Sequence, residues 1–482
     1  MSTPERCPVC EDERQYVRQG GQAWTTLDEL AAEGHLLGLL GQPKSFCYSA
    51  IIMAYRMKLL PFTGEPDLLA LARDLDALSA QLDARGPLVI GWEGQLRRDL
   101  QALAVHASVA MEGVPVTVEE VRRILAGDRP QSVSTEAAEF VEGYRDAMVY
   151  VQTRADDPVF EWSPELLKAI HHNVLAGRRD LGAGRYGAAR TLRNEATGDL
   201  VYTPPQDDVD KWVEMICDQM NAWDRTETPP HIALRAAWVH VAFAAVHPFK
   251  DGNGRTARIL ASLAMYRHGF RRPEFCSLEE WWGRHKESYY KAFGCLGDHF
   301  DASADVTPFI QTHVEAQRSQ VRALALREET NRQLWVALGR VCAGAGIPDR
   351  AAFALWDAYN GRDITRPYYR AVTDVSDASA TQDFAALRAA ALLMAEGKTR
   401  GRKYVVGKRL FEAIATELGI ANAKDADRDV IIQELTRRVG QQASAGALGN
   451  TSVSSGALFP TYPQAPAEVE SYPARQTTTR PN

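Results

Sequence analysis

The sequence predicts a mainly helical protein, and three observations carry that reading. Apolar residues recur at spacings of three and four through Leu68, Leu69, Leu71, Leu75 and Leu78, the period of an amphipathic helix. The run Ile232–Val246 is apolar on nearly every side, as a helix at the centre of a domain must be. Before residue 390, only the stretch between Arg185 and Pro205 has the texture of strands.

The elements follow in order. The leucine pattern gives a first helix from Leu68, and a second runs from about Trp92 to Met111, ending in Ser108-Val109-Ala110-Met111-Glu112-Gly113. Thr117 and Glu120 form a T-x-x-E capping box, which starts a short helix through Leu125 with Gly127 as its stop. Residues 137–152 and 164–176 are two further helices. Arg190–Arg193 and Leu200–Thr203 flank Thr197-Gly198-Asp199, the pattern of a β-hairpin or extended flap that Pro204-Pro205 ends. After Ile232–Val246, a helix from Arg255 to His268 closes at Gly269. The last 42 residues are rich in Ser, Thr, Pro, Gly and Ala and are expected to be disordered.

Composition narrows the function class. The chain has 482 residues, 45% of them hydrophobic and 24% charged, room for two or three soluble domains. A net charge of −7 argues against a nucleic-acid protein governed by its total charge. Seven scattered cysteines suit a reducing compartment better than a disulfide framework. No run of about 18 apolar residues exists to span a membrane, and the reading is a cytoplasmic protein without a membrane partner. Cys7-Pro8-Val9-Cys10 has metal-ligand spacing, but a zinc site wants four ligands and only His35 and Cys47 lie near. The stretch around it resembles the opening of some metallo-β-lactamase-like proteins; their HxHxDH motif is absent, and nothing is carried over.

The chemistry concentrates in His247-Pro248-Phe249-Lys250-Asp251-Gly252-Asn253-Gly254-Arg255-Thr256-Ala257-Arg258. A histidine can act as a general base near neutral pH. Asp251 is a hard oxygen ligand suited to Mg²⁺. Gly252 and Gly254 let backbone N–H groups approach an anion, and the Asn253 amide is placed to donate to a phosphate oxygen. Arg255 and Arg258, three apart, share one face of the helix that follows.

This run resembles the HPFx[DE]GNGRxxR signature of Fic-domain proteins, with every defined position matched. The resemblance extends over roughly residues 68–320, through HHNVL near His171, YTPP at Tyr202–Pro205, Tyr289-Tyr290 and Asp305–Ile310. It implies a Fic-type helical domain with a β-hairpin flap, and transfer of AMP from ATP, with Mg²⁺ or Mn²⁺, to a Tyr, Thr or Ser hydroxyl of a protein. It implies His247 as the base, Asp251 as metal ligand, and Arg255 and Arg258 on the β- and γ-phosphates. Tyr289 and Tyr290 match positions lining the adenine pocket, with aromatic core packing as the competing reading. Doc-like relatives, which phosphorylate, carry Lys where Gly254 stands. Ser108-x-x-x-Glu112-Gly113 resembles the inhibitory [ST]xxxE[GN] motif in its N-terminal, class II position. A carboxylate paired with Arg258 takes the fork that the γ-phosphate needs; the same Glu112 could instead orient a water that removes AMP. His240, on the face of His247, suits a packed core role. The flap is expected to pin a target by main-chain pairing.

Ile364–Tyr369, Val375–Thr381, a helix Ala380–Ala390 and the turn Gly397–Gly401 resemble the winged helix-turn-helix found C-terminal to many Fic domains. Lys398 to Arg409 carries six Lys or Arg and no acid. The helix in the recognition position is rich in alanine and includes Asp383, so weak, salt-sensitive DNA binding is the most it suggests, and dimerisation or target docking fits better. The expected organisation is an extension over 1–48, N-terminal helices with the inhibitory motif over 49–136, a catalytic core over 137–325, a winged helix over 345–410, a helical extension over 411–440 and a disordered tail over 441–482. The expected partners are ATP and a protein target, the chain itself and a second copy among the candidates. Two rivals stand beside this reading: the same fold moving UMP or phosphocholine or removing AMP, and a DNA-binding regulator whose Fic domain senses a ligand.

Overall fold

The computed structural model describes residues 53–55, 59–64, 66–84, 90–187, 191–193, 200–270, 278–398 and 402–445. The Cys7–Cys10 knuckle, the rest of residues 1–48, the hairpin tip and the tail beyond 445 lie outside them. The described chain is mainly helical. In order it runs β1 (Met53–Tyr55), β2 (Phe62–Gly64), α1 (Pro66–Ala84), α2 (Ile90–Met111), α3 (Val118–Leu125), α4 (Thr135–Ala155), α5 (Pro164–Val174), β3 (Leu192–Arg193), β4 (Leu200–Tyr202), α6 (Val209–Arg225), α7 (Ile232–Val246) and α8 (Asn253–Arg267). It continues through α9 (Glu279–Arg284), α10 (Lys286–Ala292), α11 (Thr307–Gly344), α12 (Ala352–Tyr359), α13 (Arg366–Thr373), α14 (Asp377–Ala389), β5 (Leu393–Glu396), β6 (Lys403–Val406), α15 (Leu410–Glu417) and α16 (Arg428–Ala445).

Local chemistry explains the boundaries. Thr117 caps α3 and Glu120 closes the box back onto the Thr117 N–H at 2.9 Å. Ser134 caps α4 and Ser163 caps α5, the latter with Pro164 in its first turn, where no N–H is needed. Gly113, Gly127 and Gly269 end their segments at positive φ, which glycine adopts without a side-chain penalty.

Nearly every residue of α7 is buried, and α7 packs on α8 to form the axis of the first core. The β3–β4 hairpin is antiparallel and is held to the domain through Tyr202, whose hydroxyl donates to the Ala245 carbonyl at 3.0 Å. Leu200 and Val201 of β4 are exposed. One strand pair escaped the sequence reading, which found β texture before residue 390 only in the flap: β1 pairs antiparallel with β2. Each strand has three residues, too few for an alternation to show. Trp238 secures the turn by donating to the Leu60 carbonyl at 3.0 Å.

Two apolar cores share one long helix. The first closes at Ala325 and the second begins at Leu326, both on α11, so the expected boundary at residue 325 falls inside a continuous helix. The second core takes in α12 to α16, including Ile431, Leu435 and Val439 of the segment expected as an extension. Here α13, α14 and the antiparallel β5–β6 pair follow one another, and α14 starts at Asp377 with Ser376 as its cap. Asp383, expected to weaken contact with DNA, faces inward: it accepts from Arg350 at 2.8 Å and from the Tyr369 hydroxyl at 2.9 Å. The basic stretch is partly neutralised, since Lys403 pairs with Asp363 and Glu396. No described helix is long and apolar enough to cross a membrane.

Candidate active site

The motif begins where α7 stops. His247 caps the helix in the left-handed region at φ 49°, ψ 54°, and its N–H donates to the Phe243 carbonyl at 3.0 Å. Pro248, which has no N–H, cannot continue the helix. Phe249 turns into the core and stacks on the His171 ring at 3.6 Å between centroids, while Lys250 stays exposed. The loop then enters α8 through Gly252 at φ 78°. A side chain at Gly252 would press on Leu175 and the His171 ring. Gly252 offers the first N–H groups of α8 no side-chain cap, and they stand at the positive end of a helix dipole.

Two residues brace this loop. Asn253 is buried: its Oδ1 accepts the Phe249 N–H at 3.0 Å and its Nδ2 donates to the Phe249 carbonyl at 2.7 Å. The amide expected to meet a phosphate therefore holds the loop shut instead. His171 donates from Nε2 to the Asp251 carbonyl at 2.8 Å and accepts the Gly184 N–H at Nδ1 at 2.9 Å. Burial drives its pKa down to about 4, so the ring is the neutral tautomer that these two bonds require.

The two arginines part company. Arg258 runs to the end of α2, where Nε donates to Ser108 Oγ at 3.2 Å and Nη2 reaches Ser108 Oγ at 3.0 Å, its carbonyl at 3.2 Å and Glu112 Oε1 at 3.1 Å. Nη1 donates to the Tyr289 hydroxyl at 3.4 Å. Burial opposes the charge on Arg258, but Tyr289, Glu112, Tyr144 and Glu279 together raise its pKa. Arg255 is equally buried but turns toward Asp251, at 3.3 Å, and over the Phe140 ring, at 4.9 Å. One shared face at the phosphates is thus corrected to two directions, fixed by where α2 and α4 offer partners. Gly254 lies beneath the Glu112–Arg258 contact. A Cβ there would come within 2.7 Å of Glu112 Oε1 and 3.2 Å of Arg258 Nη1. Gly113, which ends the inhibitory string, turns the chain at φ 77°.

His247 is half-buried, bonded to the Ala244 carbonyl, and within electrostatic reach of Glu112 and Asp251. Burial lowers its pKa against the pull of those two carboxylates, leaving an unprotonated ring nitrogen at neutral pH. Asp251 accepts the Gly252 N–H at 2.6 Å and keeps 45% of its side chain exposed. Among the described residues no cluster of three or more His, Cys, Asp or Glu could hold a metal. A lone exposed carboxylate fits Mg²⁺ or Mn²⁺ shared with phosphates, since Mg²⁺ is commonly held by one or two carboxylates plus substrate oxygens.

Of its two readings, Tyr289 takes the core-packing one in this structure. It is buried among Met111, Leu278, Trp282 and Ala316, and its hydroxyl bonds both Arg258 and His240, the latter at 3.1 Å. His240 is fully buried beside His313 at 3.2 Å, in the packed role expected of it. Tyr290 is 57% exposed beside Tyr289, free to meet a ligand. Three buried residues had no role in the sequence reading. His171 could have been found in the HHNVL string. Tyr144 and Glu279 could not: the Tyr144 hydroxyl donates to Glu279 across 135 positions of sequence, behind Ser108 and Arg258.

Part of this chain is similar to known proteins. The model of the Fic/DOC family matches residues 161–265. A protein adenylyltransferase Fic from Nematostella vectensis is 30% identical over 170 residues, 34% of this chain and 38% of that protein. Protein adenylyltransferase fic-1 of Caenorhabditis elegans is 29% identical over 182 residues, 36% of this chain and 34% of that one. The chain thus spans little more than a third of the length of these curated relatives. A crystal structure of a Fic family protein from Desulfovibrio desulfuricans G20 aligns with TM-score 0.47 at 20% identity, covering 72% of this chain and 98% of that one. The segment that builds the His247 cap, the glycine-lined loop and the start of α8 lies inside residues 161–265, the part of this chain that matches the Fic/DOC family.

Proposed function

We propose that the protein is an adenylyltransferase that moves AMP from ATP to a Tyr, Thr or Ser hydroxyl of a protein, and that Glu112 restrains it. The observation that carries this is His247, its pKa lowered by burial, capping the helix just before the loop into α8, with Arg258 held by Glu112. The triphosphate lies along the α8 N-terminus. Asp251 would hold Mg²⁺ or Mn²⁺, which would neutralise charge on the phosphates. His247 takes the proton of the target hydroxyl as its oxygen attacks the α-phosphorus. The bond to the bridging oxygen breaks, and pyrophosphate leaves with the electron pair. Arg258 serves the terminal phosphate only after Glu112 has let go. Gly254 keeps room there that a side chain would fill.

The test is incubation with labelled ATP and a lysate, followed by mapping of AMP on side chains. His247→Ala should abolish labelling with ATP affinity nearly unchanged, because the ring makes no phosphate contact in this scheme. Labelling at the wild-type rate would remove His247 from the role of base. A second reading, AMP removal, is favoured by the electrostatic reach of Glu112 to His247, where a carboxylate could orient a water. Release of AMP from a modified target by wild-type protein but not by Glu112→Gly would select it.

A further inference from the structure

The helix that carries Ser108 and Glu112 is gripped at its other end by the C-terminal part of the chain. Asp99 of α2 accepts Arg362 Nη2 at 2.5 Å, and the same guanidinium gives Nη1 to Asp357 at 3.0 Å. Arg362 follows α12, inside the second core. All three side chains are nearly sequestered, at 12%, 4% and 2% exposure. One planar fork thus bridges two buried carboxylates and places its charge between them. Beside it, Leu100 of α2 packs with Leu324 and Trp335 of α11, and Trp335 stacks edge-on against Phe353 of α12.

A second link runs through α9. Glu279 takes the Tyr144 hydroxyl behind Ser108, while its neighbour Glu280 accepts Arg327 of α11 at 2.7 Å and Gln320 at 3.1 Å. Gly283 of α9 lies so close to Ala107 that a Cβ there would meet the alanine methyl at 3.0 Å. The end of α2 that leads into Glu112 is therefore held by α9, and its other end by Arg362.

We propose that the C-terminal module is the regulator of the active site: Arg362, holding Asp99, fixes α2 in the position where Glu112 occupies Arg258. This rests on the reading of Glu112 as inhibitory. Glu112 lies about 20 Å along α2 from Asp99, at 1.5 Å per residue, and an unbroken helix passes a shift at one end to the other. A protein partner or second copy that binds the module and draws Arg362 away from Asp99 relaxes the restraint. Arg362 and Asp99 act through Glu112 and touch no substrate, so they are positioning residues.

The experiment measures auto-modification by labelled ATP in the full chain for Asp99→Asn, Arg362→Lys, Glu112→Gly and the Asp99→Asn/Glu112→Gly pair. Arg362→Lys keeps the charge but cannot span both carboxylates, and it decides the matter if Asp99→Asn fails to fold. Each clamp variant should raise the rate about fivefold or more, which corresponds to about 1 kcal/mol. The pair should match Glu112→Gly alone, and the amides of residues 99–112 should exchange faster in Asp99→Asn. A rate rise in Glu112→Gly with folded clamp variants at the wild-type rate would overturn the clamp and leave the inhibition intact. Additive effects in the pair would also overturn it, because the clamp would then act elsewhere. No rise in Glu112→Gly would refute the inhibitory reading itself, and the clamp with it.

Discussion

Replacing Glu112 by Gly should raise auto-modification by roughly ten- to a hundredfold, and the structure sets the size. Glu112 Oε1 lies 3.1 Å from Arg258 Nη2, with Arg258 2% and Glu112 26% exposed. At an effective dielectric of about 20 the gross attraction over such a distance is ~5 kcal/mol. Desolvation and the ordering of the Glu112 side chain remove much of it, and hydrogen bonds to charged groups are worth about 1.5–3 kcal/mol net. One decade of rate corresponds to about 1.4 kcal/mol, hence the range. Arg258 should stay in place, because Ser108 Oγ, the Ser108 carbonyl and the Tyr289 hydroxyl still hold it. The substitution also extends the Gly113 turn by a second glycine, at the very end of α2 where helix loss is small. Initial rates of label incorporation at saturating ATP, with ATP affinity by calorimetry, check the result. An unchanged or lower rate with Arg258 undisturbed would refute the claim that Glu112 competes with the terminal phosphate.

Asn253→Ala should destabilise the protein by about 2–4 kcal/mol, seen as a lower denaturant midpoint, since it strips both backbone groups of buried Phe249 of their partners. The acid limb of kcat/KM should lie below pH 6.5: burial lowers the His247 pKa, so the ring stays unprotonated until pH falls under the ordinary histidine value. A limb above pH 7 would contradict a neutral His247 in the free protein. His171, held at about 4, protonates more readily unfolded than folded; its stabilising contribution is whole above pH 6.5 and fades as pH falls toward 4, by about 3 kcal/mol in all. Urea titrations across that window should show this slope in wild type and a shallower one in His171→Asn. Asp251→Asn should weaken the divalent-ion requirement for ATP binding and lower the melting temperature, because the amide still accepts the Gly252 N–H but takes from the buried Arg255 the charge it pairs with.

Local rules written in neighbouring residues were legible in advance. The Thr117–Glu120 box, the greasy α7 and the Gly269 stop need only a few positions of sequence, and each element formed where its pattern lay. The Arg258–Glu112 contact was legible as well, since opposite charges at a helix end and in an anion loop have an obvious use for each other. Roles decided by direction were not. Asn253 and Arg255 belong to the phosphate signature, but whether their polar ends turn inward depends on Phe249 and Phe140, which folding brings alongside. Tyr289 and Tyr290 are adjacent and alike, and only the packing of α10 on α9 and α11 sends one into the core and leaves the other outside. The long α11 was missed between its ends because its apolar face is handed from one core to the other, which blurs any single stripe.

That shared helix bears on how the chain folds and fails. At 38 residues it is about 57 Å long, and neither core can close without its own half of it. Fraying begun in either half spreads along a common backbone, so the two parts should melt in one transition. A cut at the edge of the family match, or anywhere within Thr307–Gly344, leaves two apolar surfaces stripped of their cover and prone to aggregate. Lineages that swap the C-terminal module for another must therefore keep the helix whole and splice beyond Gly344. The joint in this protein is a beam common to both rooms, and exchange of modules is confined to its far end.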